Sequence, residues 1–315
     1  MVDKLPPNSA ISPPASSRSK AMRLYAISDI HLSYKHNREA FDKLSPHPND
    51  GLILAGDIGE SLDHLREAFV KATDCFAHVF WVPGNHELYT LRTGDHQHLT
   101  GESKYNACVL IAREYGVWTP EDDFMTWEGE GGPAVIAPTF TLYDYSFRPD
   151  HVTREGALDW AMEEGIRATD EELLHFDPYE SRDAWCHRLV TRTEERLQKA
   201  ALTGLPLVII NHWPLMEELV YIPAVPRFSI WCGTKQTVDW HSRFKAKVVV
   251  TGHLHVRRTD WIDGVRFEEV SLGYPKQWKD AQEAGQDVNT LLRDILPGPE
   301  PPEGGKAPTH WRKDG

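Results

Sequence analysis

The stretch Val79-Phe80-Trp81-Val82-Pro83-Gly84-Asn85-His86-Glu87 decides how this chain is read. Its first four residues are uniformly apolar, as a strand covered on both faces requires. Proline, which offers no ladder donor, and glycine, which tolerates a tight turn, then end the strand. An amide, an imidazole and a carboxylate are thereby set at a strand end, where ligands sit in open α/β sheets. Four other apolar runs end in the same way, at Asp29-Ile30-His31, Gly56-Asp57, Asn211-His212 and Gly252-His253-Leu254-His255.

Working outward, Met22–Ser28 reads as a first strand, Lys35–Leu44 as a helix and Leu52–Ala55 as a second strand. Ser61 is placed to cap a helix through Lys71 with Leu62, Leu65, Ala68 and Phe69 on one face. This β-α-β-α-β alternation predicts an α/β fold with parallel strands joined by right-handed crossovers. Further on, the pattern predicts a helix over Lys104–Tyr115, a strand over Pro133–Phe140 and a helical region over Glu155–Ala201 broken at Pro178. Strands follow at Leu207–Ile210 and Lys247–Val250, then a hairpin turning on Asp263-Gly264 and a last helix over Lys279–Leu296. Residues 1–20, rich in Pro and Ser, read as disordered, and residues 297–315 as a flexible tail. One domain over 21–296 remains between them.

The 315 residues suffice for a large core, and their net charge of −13 argues against general nucleic-acid binding, which needs Lys and Arg to neutralise phosphates. No apolar run approaches the ~20 residues of a membrane span, and the N-terminus lacks the apolar segment of a secretory signal. The four cysteines are scattered with no C-x-x-C pairing, which suits reduced thiols and a cytoplasmic location. Charge is uneven: residues 241–280 carry eight bases against five acids around the Gly252–His255 motif. That stretch serves either an anionic partner or a solvated face.

Asp29 and His31 stand two apart, as do His253 and His255, so in extended backbone each pair can reach one centre. With Asp57, Asn85 and His212 the set holds two carboxylates, one amide oxygen and four imidazoles. That exceeds one tetrahedral zinc and suits two adjacent Mn, Fe or Zn ions in mixed N/O coordination. A shared carboxylate holds two cations close, and Asp57 is the expected bridge. Two ions ~3.5–4 Å apart bind a hydroxide nucleophile and a phosphoryl oxygen together.

In this order, D-x-H, G-D, G-N-H-E, a later H and G-H-x-H resemble the calcineurin-like metallophosphoesterase superfamily. The resemblance implies a four-layer αββα sandwich of two mixed β-sheets flanked by helices. It implies that Asp29, His31, Asp57 and His255 hold one ion, and Asp57, Asn85, His212 and His253 the other. It implies further that His86 protonates the leaving oxygen. Glu60 stands where related enzymes place the acid that orients this histidine, although a first-turn helix acid favoured by the macrodipole explains it equally well.

Protein Ser/Thr phosphatases of the superfamily carry G-D-x-x-D-R-G and R-G-N-H-E. Here Gly56-Asp57-Ile58-Gly59-Glu60-Ser61 and Pro83-Gly84-Asn85-His86-Glu87 lack both phosphate-binding arginines. Gly131–Ala134, Leu142–Phe147, Arg182–His187, Trp231–Thr234 and Asp263–Val270 are instead similar to the phosphopantetheinyl hydrolases of actinobacteria, which remove 4′-phosphopantetheine from carrier proteins. A phosphodiester substrate and an acidic carrier-protein partner are what this implies. A small-molecule or cyclic-nucleotide phosphodiesterase and, more remotely, a non-catalytic scaffold of the same fold are the alternatives. Tyr143, Tyr145, Trp213 and Trp231 are expected either to line a groove for the pantetheine arm or to pack the core. The remaining histidines, such as His96, His98, His175, His187 and His241, lack motif context and read as surface or packing residues.

Overall fold

A computed structural model describes residues 22–91 and 98–312 of the chain. The Pro/Ser-rich lead-in and His96 lie outside the described residues. Among the described residues, eleven strands form two sheets. The first runs β10-β1-β2-β3, with β1 (Leu24–Ile27), β2 (His47–Leu54) and β3 (Phe76–Trp81) parallel and β10 (Arg293–Leu296) antiparallel beside β1. The second runs β11-β8-β9-β7-β6-β5-β4. Its centre is parallel: β5 (Ala134–Pro138), β6 (Leu207–Ile210), β7 (Ala246–Thr251) and β9 (Val265–Glu269). β4 (Met125–Trp127), β8 (Arg258–Ile262) and β11 (His310–Trp311) pair antiparallel.

The uniformly apolar strands are explained by burial on both faces. Ala26, Ile53, Phe80 and Val82 of the first sheet meet Ile136, Val208, Ile210, Val248 and Val250 of the second in one continuous layer. The intervening residues Ile27, Leu52, Leu54, Val79 and Trp81 point the other way, into a cluster with Leu65, Ala68 and Phe69 of helix Leu62–Cys75. Val135, Leu207, Ile209 and Val249 do the same on the opposite side, under helix Arg182–Ala201 with its buried Trp185, Leu189 and Leu197. The result is the expected α-β-β-α layering. Where the layers run out, backbone bonds from Ser28 to Val270 and Leu272 tie the two sheets together at the C-terminal end of β1.

Three expectations are corrected. The region over Glu155–Ala201 is not one broken helix but three, Ala157–Met162, Asp170–Leu173 and Arg182–Ala201, the last capped by Ser181. The last helix is also not continuous. Gly285 at φ 87° lets the chain leave helix Lys279–Glu283, Asp287 caps a second short helix, and Ile295 and Leu296 then bury in β10. Sheet pairing beside β1 outweighs the local helical spacing here, since propensity is a weak prior against tertiary burial. The segment after Pro297 does not hang free throughout: β11 adds to the sheet edge, and Arg312 reaches the buried carboxylate of Glu268 at 2.8 Å.

A candidate dinuclear metal centre

Asp29 follows β1, Asp57 follows β2, Asn85 follows β3, His212 follows β6, and His253 and His255 follow β7. The ends of five parallel strands from both sheets thus deliver all seven sequence-selected residues to one edge. One ligand atom from each of Asp29, His31, Asp57 and His255 lies within 4.8 Å of the others, and the same holds for Asp57, His212 and His253. Asp57 belongs to both groups, and Asn85 places Oδ1 3.2 Å from His253 Nδ1.

The i,i+2 spacing acts differently from the extended-strand expectation. Asp29, His31, Asp57, His253 and His255 all have positive φ, between 45° and 72°. This left-handed region is sparse for residues with a Cβ, though Asp, Asn and His enter it most readily, and strain of this kind concentrates at functional sites. The curl sends Asp29 and His31 into one group but splits His253 from His255 between the two.

Glycines make the approach possible. A Cβ on Gly84 would overlap Asp57 Oδ1, and one on Gly252 would overlap Asp29 Oδ2. Two buried carboxylates hold the loops from behind. Glu87 accepts from the backbone N–H groups of Asp57 (3.0 Å), Ile58 (2.5 Å) and Gly84 (2.7 Å). Glu269 accepts from those of His255 (3.1 Å), Val256 (3.2 Å) and Arg257 (2.5 Å). Glu87 is therefore a brace for the turns and not a ligand. Burial, reinforced by Asp57, pushes its carboxyl up to about 7.

The donor set fits cations. His212 Nδ1 donates to the Ala55 carbonyl at 2.8 Å, which leaves Nε2 as a buried lone pair without a partner, 3.6 Å from Asp57 Oδ2. His255 Nδ1 faces Gln277 Oε1 at 2.7 Å, so Nε2 is the nitrogen turned on Asp29 Oδ1 at 2.9 Å and His31 Nε2 at 3.2 Å, and Asp29 raises the imidazole against its burial. Such convergence holds a positive charge between the groups, a proton on His255 or a metal ion in its place, and an imidazole whose other nitrogen is bonded outward is the usual metal-site arrangement. Burial above all pushes the Asp57 carboxyl up, the response of a carboxylate removed from water.

Beside this centre His86 Nδ1 lies 2.9 Å from Glu60 Oε1, and His86 Nε2 points at Asp57 Oδ2, 3.8 Å away. Burial disfavours the imidazolium, but Asp57 and Glu60 outweigh it and raise His86 to about 9. Burial likewise opposes ionisation of Glu60, and the His86 hydrogen bond overrides it, bringing Glu60 to about 2. Glu60 lies before the N-cap Ser61, and the first-turn acid of that helix is Asp63, so the macrodipole reading weighed for Glu60 does not describe it, whereas its contact with His86 does.

Both groups open into a cleft of about 660 Å³. Of the two places open to the selected aromatics, the structure gives the core. Tyr143, Tyr145, Trp213 and Trp231 are each at most 2% exposed and do not line the cleft. They stack behind the centre, Trp213 edge-on to His212 and Tyr143 edge-on to Tyr145. The cleft is walled instead by Tyr34, Tyr89, Phe228 and Tyr274, with Leu91, Leu173, Ile222, Val225 and Leu254. Tyr274 stacks on His31 with ring centres 4.5 Å apart. Its sequence context, Gly273-Tyr274-Pro275, carried only a turn signal. The basic stretch is likewise less available than its count suggests, because Arg258 and Arg266 are buried against Asp260 and Glu268.

No helix among the described residues is long and apolar enough to cross a membrane. The family model of the calcineurin-like phosphoesterases matches residues 22–257. The acyl-carrier-protein phosphodiesterase PptH of Mycobacterium tuberculosis is 44% identical over 279 residues, covering 88% of this chain and 84% of that protein. The crystal structure of the phosphopantetheinyl hydrolase PptH of Mycobacterium tuberculosis superimposes with a TM-score of 0.83 at 43% identity, over 89% of this chain and 97% of that one. A two-sheet sandwich, ligand-bearing strand ends and a match across most of the chain lead to one conclusion: this protein belongs to the calcineurin-like phosphoesterase family of phosphoester hydrolases.

Proposed function

We propose that the protein is a two-metal phosphodiesterase that hydrolyses the ester joining 4′-phosphopantetheine to a carrier-protein serine. The observation that carries this reading is the pair of buried donor groups sharing Asp57, in a chain 44% identical to a carrier-protein phosphodiesterase. Asp29, His31, Asp57 and His255 would hold one ion, and Asp57, Asn85, His212 and His253 the other, with Mn or Fe favoured and Zn compatible with the same donors. When bound, such ions supply Lewis acidity toward the phosphoryl group and an acidified water.

The chain's own residues do the rest. Glu60 accepts from His86 Nδ1–H and, with Asp57, favours the imidazolium, so the second proton, at Nε2, faces the centre, where the serine alkoxide would depart. A serine alkoxide is a poor leaving group, and a positioned acid is worth ~10²–10⁴-fold there. The apolar wall of Leu91, Leu173, Ile222, Val225 and Phe228 suits the aliphatic part of the pantetheine arm. All four cysteines are free and buried, in keeping with work in the reducing cytoplasm.

The test is release of phosphopantetheine from a holo-carrier protein with Mn²⁺ supplied, run beside a panel of cyclic and linear nucleotide diesters. Turnover of the carrier protein that exceeds every nucleotide, and that Asp57→Ala abolishes, is the expected result. Faster hydrolysis of a nucleotide diester would overturn the substrate assignment in favour of a small-molecule phosphodiesterase.

A further inference from the structure

Asn85 presents its amide to the metal centre, and an amide can present either end. With Oδ1 turned inward it is a ligand; with Nδ2 inward it is a hydrogen-bond donor that repels a cation. Something must fix the choice, and the strand-end motif itself contains nothing that does.

The fixing contact comes from a residue 85 positions away. Asn85 Nδ2 donates to Asp170 Oδ1 at 3.0 Å and approaches Tyr89 Oη at 3.0 Å, while Tyr89 itself donates to the same Asp170 oxygen at 2.6 Å. Asp170 is 2% exposed and does not belong to either group of donor atoms. A carboxylate accepts only, so it admits Nδ2 and rejects Oδ1. Asp170 is in turn held. Arg182 donates to the carbonyls of Asp170 (3.1 Å) and Leu174 (2.7 Å), and it pairs with Glu171 at 3.0 Å. Glu171 also accepts from Tyr145 (2.8 Å) and Trp231 (2.7 Å). The buried aromatics that do not reach the cleft are thus part of the frame that carries Asp170.

We infer that Asp170 is a positioning residue that locks the Asn85 amide with its oxygen toward the second cation, and that Arg182 anchors it directly while Tyr145 and Trp231 do so through Glu171. This rests on the proposed assignment of Asn85 as a ligand. It predicts an effect on one ion only, because the donors Asp29, His31 and His255 make no contact with Asp170. Loss of such a supporting partner typically weakens metal affinity ~10–100-fold.

The experiment titrates Mn²⁺ into the chelator-treated full chain by calorimetry, with electron paramagnetic resonance reporting coupled manganese pairs. Wild type takes up two ions. Asp170→Leu binds the first normally and the second ~10–100-fold more weakly, with loss of the coupled signal. Asp170→Asn, which can still accept from both Asn85 and Tyr89, restores the second ion close to wild-type affinity. Normal first-ion binding serves as the folding control, and Asp170→Ala takes the place of the leucine variant if that one does not fold. Unchanged second-ion affinity in Asp170→Leu, or an asparagine variant as weak as the leucine one, overturns the inference. A wild type that takes up fewer than two ions overturns instead the metal assignment beneath it.

Discussion

Replacing Glu60 by glutamine removes one charge from the Glu60–His86 pair while keeping an acceptor for the ring, so the variant isolates the ionic part of that contact. In the metal-free protein Glu60 titrates near 2 against an ordinary 4.5, and His86 near 9 against 6.5. Each shift corresponds to about 3 kcal/mol at ~1.4 kcal/mol per pKa unit; they share the Glu60–His86 contact, so they are not summed, and the part of the His86 rise that Asp57 supplies survives the substitution, which makes about 3 kcal/mol an upper bound. The lowered carboxyl contributes stability that is complete above its unfolded value of 4.5 and fades as pH falls toward 2. The raised imidazole contributes stability that is complete below 6.5 and fades as pH rises through 9. Wild type should therefore exceed Glu60→Gln by up to about 3 kcal/mol between pH 5 and 6.5, with the gap narrowing on both sides. Urea unfolding of both chelator-treated proteins across pH 3–10 measures it. A gap that is absent at pH 6, or that keeps widening above pH 9, would refute the pairing.

Three other outcomes follow from the same geometry. His86→Ala should keep its metal content and lose ~10²-fold or more in rate on a poor leaving group such as a serine ester, with a smaller loss on bis-p-nitrophenyl phosphate; equal losses on both would remove His86 as the acid. Gly84→Ala drives a Cβ into Asp57 Oδ1, so metal analysis should find the centre depleted in a chain that still gives a folded circular-dichroism spectrum; full occupancy would show that the turn relaxes. Arg258→Glu leaves Asp260 facing a like charge beneath the surface, next to the Leu219 carbonyl, and should cost roughly 3–5 kcal/mol in thermal or urea unfolding; a neutral effect would mean that the side chain is free to act at the surface.

Much of the site was legible because it is written at strand ends. Apolar runs that stop at Gly, Asp, Asn and His announce both a buried sheet and what lies at its edge, and the order of the five blocks identified the family. Glu60 and His86 were reachable for the same reason, lying within three residues of a proposed ligand. What escaped was long-range. Asp170 sits in a four-residue helix inside an acidic segment whose sequence resembles any solvated surface. Only the folded chain shows it buried beneath Asn85. For the aromatics Tyr145 and Trp231 the sequence left a groove wall and core packing open, since residue type does not say whether a ring meets the cleft or braces the residues behind it; the structure packs both behind it. The C-terminal segment failed on composition: Pro and Gly predicted a free tail, whereas two residues of edge pairing and one buried guanidinium suffice to dock it.

The claim on which all of this depends is that two cations sit on either side of Asp57. Anomalous diffraction from a manganese-soaked crystal tests it most directly. Two peaks ~3.5–4 Å apart are predicted, one among Asp29, His31 and His255 and the other among Asn85, His212 and His253, with the Asp57 carboxylate between them. One peak, or two that do not share Asp57, would contradict the account.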